Sequence, residues 1–314
     1  GGVDALPVIR LAVAAARLLE RAPRMLLVTG PLMRGDDRAE ATAIAAAGGH
    51  RLATEIDMPH PPLEPPVALP APPLPPPAAD GRPVEYGYEV VRSFPHDRGA
   101  FTQGLLFRNG SLLESTGNYG PSSLREVEPA TGRVLKQIGV PREYFAEGLA
   151  VVGDRAFQLT WKEKKCFVYD ADTFRKLQEF TYEGEGWGLT TDGTLLVMSD
   201  GTNRIRFIDP KDFRVLRTID VTLSGQPLER LNELEWINGE IFANVWQTDT
   251  IVRIDPATGH VRGVVDFAGL LPPTERANAD VLNGIAYEPA TGRLLVTGKW
   301  WPRLYEVKVK EVRR

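Results

Sequence analysis

The sequence predicts an all-β fold: a five-bladed β-propeller closed by an N-terminal strand and preceded by a small α/β segment and a Pro-rich linker. Three observations carry this. A short motif recurs five times in the last 215 or so residues, a second strand pattern keeps step with it, and the strand missing from the last unit is found ahead of the first. The motif is a variable residue, Gly-Leu or its equivalent, a strand, a turn and a second strand. Its copies begin at Gln103, Glu147, Trp187, Asn232 and Asn283, spaced by 44, 40, 45 and 51 residues. The accompanying alternating strands are Leu124 to Glu128, Cys166 to Asp170, Ile205 to Asp209, Ile251 to Asp255 and Leu304 to Lys308. Turns such as Pro129-Ala-Thr-Gly132 and Pro256-Ala-Thr-Gly259 follow, then a further strand, so each unit holds four short strands. The fifth unit runs out near Val309. Glu89 to Phe94 stands nine residues before Gln103, as Ile138 stands nine before Glu147, and is expected to pair with Leu304 to Val309. Such closure removes open sheet edges and predicts a monomer.

The chain ahead of residue 85 differs. Leu6 to Leu19 suits a helix but is too short and too charged to span a membrane, and Arg10 breaks the apolar run that a signal peptide needs. Met25 to Thr29, Arg38 to Ala47 and Arg51 to Ile56 read as strand, helix and strand, giving an α/β segment over 1–57. Between Pro59 and Pro77, eleven of nineteen residues are proline, so 58–84 reads as an extended, semi-rigid linker to a domain at 85–314.

Composition narrows the function. A net charge of −4 without a dense basic run gives no reason to expect nucleic acid. Cys166 is the single cysteine and the four histidines are scattered, so neither a disulfide nor a Cys/His metal site is expected.

In a propeller, equivalent positions of the units form rings around the axis. The lead ring is polar and mixed: Gln103, Glu147, Trp187, Asn232 and Asn283. A second ring 12–16 residues on holds Ser115 or Thr116, Trp161, Ser199, Trp246 and Lys299. Phe101 and Phe145, each two residues before a lead position, add apolar walls, while Trp236 and Trp300 are assigned to packing. Aromatic walls with a few convergent polar groups make a small-ligand pocket.

These residues carry a resemblance. Phe101-Thr-Gln-Gly-Leu105, Glu114-Ser-Thr-Gly117, Phe145-Ala-Glu-Gly-Leu149, Gly186-Trp-Gly-Leu189, Leu231-Asn-Glu-Leu-Glu-Trp236, Asn244-Val-Trp246, and Leu282-Asn-Gly-Ile285 with Thr297-Gly-Lys299 resemble the plant and bacterial type of glutaminyl-peptide cyclotransferase. The resemblance covers about 86–309. It implies a five-bladed propeller that converts N-terminal glutamine of peptides or proteins to pyroglutamate, releasing ammonia, with no cofactor or metal. It places the general acid/base on Glu147 and the pocket on Phe101, Gln103, Phe145, Trp161, Trp187, Asn232, Trp246 and Lys299. Lys299, Asn232 and Gln103 are each candidate donors to an oxyanion, unranked by sequence, and Asn283 either lines the pocket or bonds backbone. Family members of this kind also suit a periplasmic or secreted setting. Two other readings remain: a calcium-dependent lactonase-type propeller using Glu147, Asn232 and Asn283 as oxygen ligands, and a non-catalytic peptide-binding propeller.

Overall fold

The computed structural model describes residues 82–312. The α/β segment and nearly all of the Pro-rich linker read from the sequence lie outside the described residues. β1 (Val84–Pro95) opens this part of the chain, so Val84, assigned to the linker, is already strand. β2 (Thr102–Arg108), β3 (Ser111–Thr116), β4 (Ser123–Val127) and β5 (Val134–Gly139) form one antiparallel sheet in sequence order. β6 (Ala146–Val152), β7 (Arg155–Thr160), β8 (Lys165–Asp170) and β9 (Lys176–Thr181) form a second. β10 (Leu189–Thr191), β11 (Leu196–Ser199), β12 (Arg204–Ile208) and β13 (Val215–Asp220) form a third. A small hairpin, β14 (Thr222–Leu223) with β15 (Gln226–Pro227), leads on to β16 (Leu231–Ile237), β17 (Glu240–Val245), β18 (Thr250–Ile254) and β19 (Val261–Asp266). After a 3₁₀ turn at Pro273–Asn278 come β20 (Leu282–Glu288), β21 (Arg293–Gly298) and β22 (Arg303–Glu311). The fold is all-β and propeller-like.

The expected closing pair forms. β1 runs antiparallel to β22, with Glu89 opposite Lys308 and Phe94 opposite Leu304. A feature not read from the sequence is that the start of β1 also pairs in parallel with β19, Val84 to Gly263 through Tyr86 to Val265. β16–β19 and β20–β22 are thereby joined through β1 into one eight-stranded sheet.

The core lies between successive strand groups. Leu113 and Leu124 of the first sheet pack with Leu149, Phe167 and Tyr169 of the second. Phe157 and Val168 meet Leu196, Met198 and Ile208 of the third. Val197 and Phe207 meet Leu234, Ile241 and Val252. Phe242, Ile251 and Val265 meet Ile285, Val296 and Tyr305. Ala286, Leu295 and Leu304 meet Leu105, Leu112 and Val127, returning to the first sheet. Each buried Leu or Phe contributes about 1.5–3 kcal/mol of apolar transfer. The middle strands are therefore buried on both faces, whereas β5, β9 and β13 are mostly exposed.

The Gly of the repeated motif has a steric cause. A Cβ on Gly104 would lie 2.6 Å from Leu149 N, one on Gly148 would lie 2.4 Å from Leu189 N, and one on Gly188 would lie 1.9 Å from Asn232 O. The innermost segments approach too closely for any side chain there. In the fourth copy the slot holds Glu233, whose carboxylate turns inward and accepts from Leu105 N at 3.2 Å and Ile285 N at 2.9 Å. This buried acid ties β16 to β2 and β20.

A second buried network closes the ring near the end of β1. His96 Nε2 contacts Glu114 Oε1 at 3.0 Å, and His96 Nδ1 contacts Trp301 O at 2.8 Å. Thr102 Oγ1 donates to Glu114 Oε1 at 2.8 Å. Burial alone pulls the His96 pKa down, but the Glu114 charge and these contacts outweigh it and raise it. Burial alone pushes Glu114 up, but the His96 and Arg125 charges outweigh it and lower it.

Gly188→Ala should lower the urea midpoint by the equivalent of about 1–3 kcal/mol or more, the cost of overpacking. Gly139→Ala, whose Cβ would meet nothing within 4 Å, should stay within about 0.5–1 kcal/mol of the parent. Equal effects would contradict the close-approach account. The raised His96 pKa stabilises below the unfolded value of 6.5, and that stability is lost as pH rises through the folded value. The lowered Glu114 pKa stabilises above 4.5, and that stability is lost as pH falls through the folded value. The stability difference between parent and His96→Gln should therefore be largest between those two limits. A difference that does not vary with pH would exclude the charged pair.

Candidate active site

Backbone irregularity brings the lead residues to one place. The β2–β3, β6–β7, β16–β17 and β20–β21 ladders each slip register at the lead position: between Thr102 and Gly104, Ala146 and Leu149, Leu231 and Leu234, and Leu282 and Ile285. A bulge re-aims the side chain it carries, and here it carries Gln103, Glu147, Asn232 and Asn283. Trp187 precedes β10 altogether, its carbonyl accepting from Gly148 N at 2.7 Å.

Three of the five lead side chains form a relay. Asn283 Nδ2 donates to Thr102 O at 2.9 Å and to Gln103 Oε1 at 3.2 Å. Gln103 Nε2 donates to Glu147 Oε1 at 3.0 Å. Asn283 therefore both bonds backbone and orients the Gln103 amide. The Oδ1 atoms of Asn232 and Asn283 are buried with no hydrogen-bond partner among the described residues.

The second ring divides by role. Ser115 Oγ donates to Glu147 O, and Ser199 Oγ donates to Asn232 O at 2.7 Å while accepting from Gly188 N at 2.8 Å. These two hydroxyls hold the backbone of lead residues. Thr116 pairs with Ser123 at 2.7 Å. The half-buried aromatic members make walls. Phe101 and Phe145 meet edge to face at 6.0 Å, Phe145 and Trp161 at 5.6 Å, and Trp187 and Trp246 at 5.6 Å. Lys299 Nζ lies 4.7 Å from the centre of the Phe101 ring, a favourable cation–π placement.

The electrostatics centre on Glu147. Burial pushes its pKa well above the ordinary carboxylate value; the Lys299 charge opposes this, and Glu185 and Glu163 reinforce it. Burial pulls Lys299 down against the charges of Glu147 and Asp280. A carboxyl raised in this way holds a proton more tightly than an ordinary surface carboxylate does.

Two acids here are absent from the sequence-based site. Glu185 Oε2 accepts from both Trp161 Nε1 at 2.7 Å and Trp187 Nε1 at 2.9 Å, fixing two walls with one oxygen. Its signal was present: Glu185 stands two residues before Trp187, the offset that singles out Phe101 and Phe145. Glu163 accepts from Tyr119 OH at 2.8 Å and Phe145 N at 3.3 Å, and no pattern marks it. Trp236 packs against the core as read, but Trp300 does not. It is 37% exposed and lies 4.7 Å from the Phe101 ring, at φ +60°. The tryptophan in the core is Trp301, whose Nε1 donates to Asp280 O at 2.8 Å. Among the described residues, no three His, Cys, Asp or Glu side chains converge as a metal set, and no helix is long and apolar enough to cross a membrane.

Comparison with known proteins bears on this site. The family model described as glutamine cyclotransferase matches residues 68–309. A curated glutaminyl-peptide cyclotransferase of Arabidopsis thaliana is 45% identical over 229 residues, which is 71% of this chain and 71% of that protein. The crystal structure of Myxococcus xanthus glutaminyl cyclase aligns with a TM-score of 0.69 at 40% identity, over 74% of this chain and 100% of that one. The chain belongs to the glutamine cyclotransferase family.

Proposed function

We propose that this protein is a five-bladed propeller glutaminyl-peptide cyclotransferase, converting N-terminal glutamine of peptides or proteins to pyroglutamate with release of ammonia. The eight-stranded sheet is read as two blades joined through β1. The observation that carries the activity is the buried Glu147 carboxyl, bonded to Gln103 and raised in pKa first by burial, in a chain of this family.

The chemistry is intramolecular. The α-amine attacks the side-chain carboxamide carbon, a C–N bond forms, and the bond to the amide nitrogen breaks. Holding the glutamine chain folded supplies much of the acceleration, since aligned intramolecular reactions reach effective molarities of about 10⁵–10⁸ M. Phe101, Phe145, Trp161, Trp187 and Trp246 shape that fold. Glu147 takes a proton from the attacking amine and returns it to the departing nitrogen, which leaves as ammonia, so the carboxyl ends as it began. The tetrahedral intermediate carries an oxyanion. Gln103 is already committed to Glu147 and Asn283, which ranks Lys299 and Asn232 ahead of it as donors. Asn283 acts on Glu147 through Gln103 and is a positioning residue. Family membership favours this reading over a calcium-dependent lactonase or a purely binding propeller.

Ammonia release from Gln-Gln dipeptide is the direct test. The parent should turn over equally with and without EDTA, and Glu147→Gln should lose about 10²–10⁴-fold in kcat. Loss of activity with EDTA would replace this scheme with a metal site, and a parent that binds the peptide without releasing ammonia would leave a binding propeller. Glu185→Gln removes a negative charge that raises the Glu147 pKa. The acid limb of its kcat/KM profile should therefore move to lower pH. An unmoved or raised limb would contradict the assignment of that limb to Glu147.

A further inference from the structure

We propose that Trp300 and Tyr119 form a subsite for the side chain of the residue that follows the substrate's N-terminal glutamine, and that it favours an aromatic side chain. The inference rests on the cyclase reading and concerns which peptides the same pocket takes.

If the glutamine amine and carboxamide converge on Glu147, the second residue lies one peptide unit away, its Cα about 3.8 Å from that of the glutamine. Its side chain must then rest on whatever stands at the rim. Two large aromatic rings stand there, exposed by 37% for Trp300 and 52% for Tyr119. They are not scattered surface residues. Trp300 lies 4.7 Å from Phe101, Phe101 lies 6.0 Å from Phe145, and Phe145 lies 5.4 Å from Tyr119. The four rings are consecutive neighbours, with the exposed rings of Trp300 and Tyr119 at the two ends and the half-buried Phe101 and Phe145 between them.

Both exposed rings are held. Trp300 N donates to Ala100 O at 2.7 Å, in a left-handed conformation that a tryptophan rarely adopts. It directly follows Lys299, whose Nζ lies 4.7 Å from the centre of the same Phe101 ring. Tyr119 OH is bonded to Glu163, which also accepts from Phe145 N. That contact and burial push the Tyr119 pKa up to about 12, so its hydroxyl stays protonated and in place. Rigid, exposed aromatic surface continuous with a pocket is the arrangement that recognises an apolar side chain at little ordering cost.

The test compares kcat/KM for the amides of Gln-Phe and Gln-Gly. The parent should prefer Gln-Phe amide. Trp300→Asn removes the ring while keeping a residue that tolerates the left-handed backbone, and should shrink that preference about 2- to 12-fold, the range of one aromatic pair. Tyr119→Ser should shrink it in the same direction. A parent without preference, or variants that keep the full preference, would overturn the subsite. Equal losses on both amides in both variants would also overturn it, assigning the rings to catalysis or folding. A parent that releases ammonia from neither amide would instead overturn the cyclase reading itself.

Discussion

Three glycines of the innermost segments stand so close to the backbone of the next unit that no side chain fits at their positions, and the rest of the design follows from that contact. Gly104, Gly148 and Gly188 each face backbone of the next unit at distances a Cβ would violate. Close approach lets the buried clusters on either side meet without voids, which interiors packed near crystal density require. The ladders slip register at four of the five lead positions, and at three of those the side chains, Asn283, Gln103 and Glu147, bond in series. Glu233 takes the glycine slot where the fourth unit lies opposite β2 and β20, and its carboxylate satisfies two backbone N–H groups that face the axis. The carboxyl is pushed well above its ordinary value, first by burial and then by Glu235.

The candidate site lies in the same buried, low-dielectric environment. Glu147 is pushed up by burial while Lys299 is pulled down by it, and each moderates the other. Glu185 has two effects at once: its Oε2 orients both indoles, and its charge helps keep Glu147 able to hold a proton. Burial of Glu147 and Lys299 strengthens their interaction. The relay from Asn283 through Gln103 fixes one Glu147 oxygen; in the proposed reaction the other is assigned to the substrate.

Much of this was legible in the chain. The three separate four-stranded sheets and the pairing of Glu89 to Phe94 with the last strand follow from spacing, because a repeat that buries one face against its neighbour must recur in phase. What spacing cannot show is which side chains touch. Gln103 bonding Glu147, Ser115 and Ser199 turning to backbone, and Glu185 joining two tryptophans all depend on side-chain torsions set by three-dimensional neighbours. The sequence assigns Trp300 to packing, whereas Trp301 is the ring buried in the core and Trp300 is 37% exposed; in a turn, one residue's shift reverses which ring faces inward. The parallel pairing of β1 with β19 involves residues 179 apart in sequence at Val84 and Gly263, and nothing local to either segment announces it.

The central claim is that Glu147 sits where it can both accept the amine proton and return it to the leaving nitrogen. A crystal structure of Glu147→Gln with an intact N-terminal-glutamine peptide bound tests this most directly. The account predicts the glutamine folded back between Trp161 and Trp187, with its amine and its carboxamide nitrogen each about 2.6–3.2 Å from the side chain at 147. A peptide bound with its amine directed away from that side chain, or seated outside the aromatic walls, would contradict it.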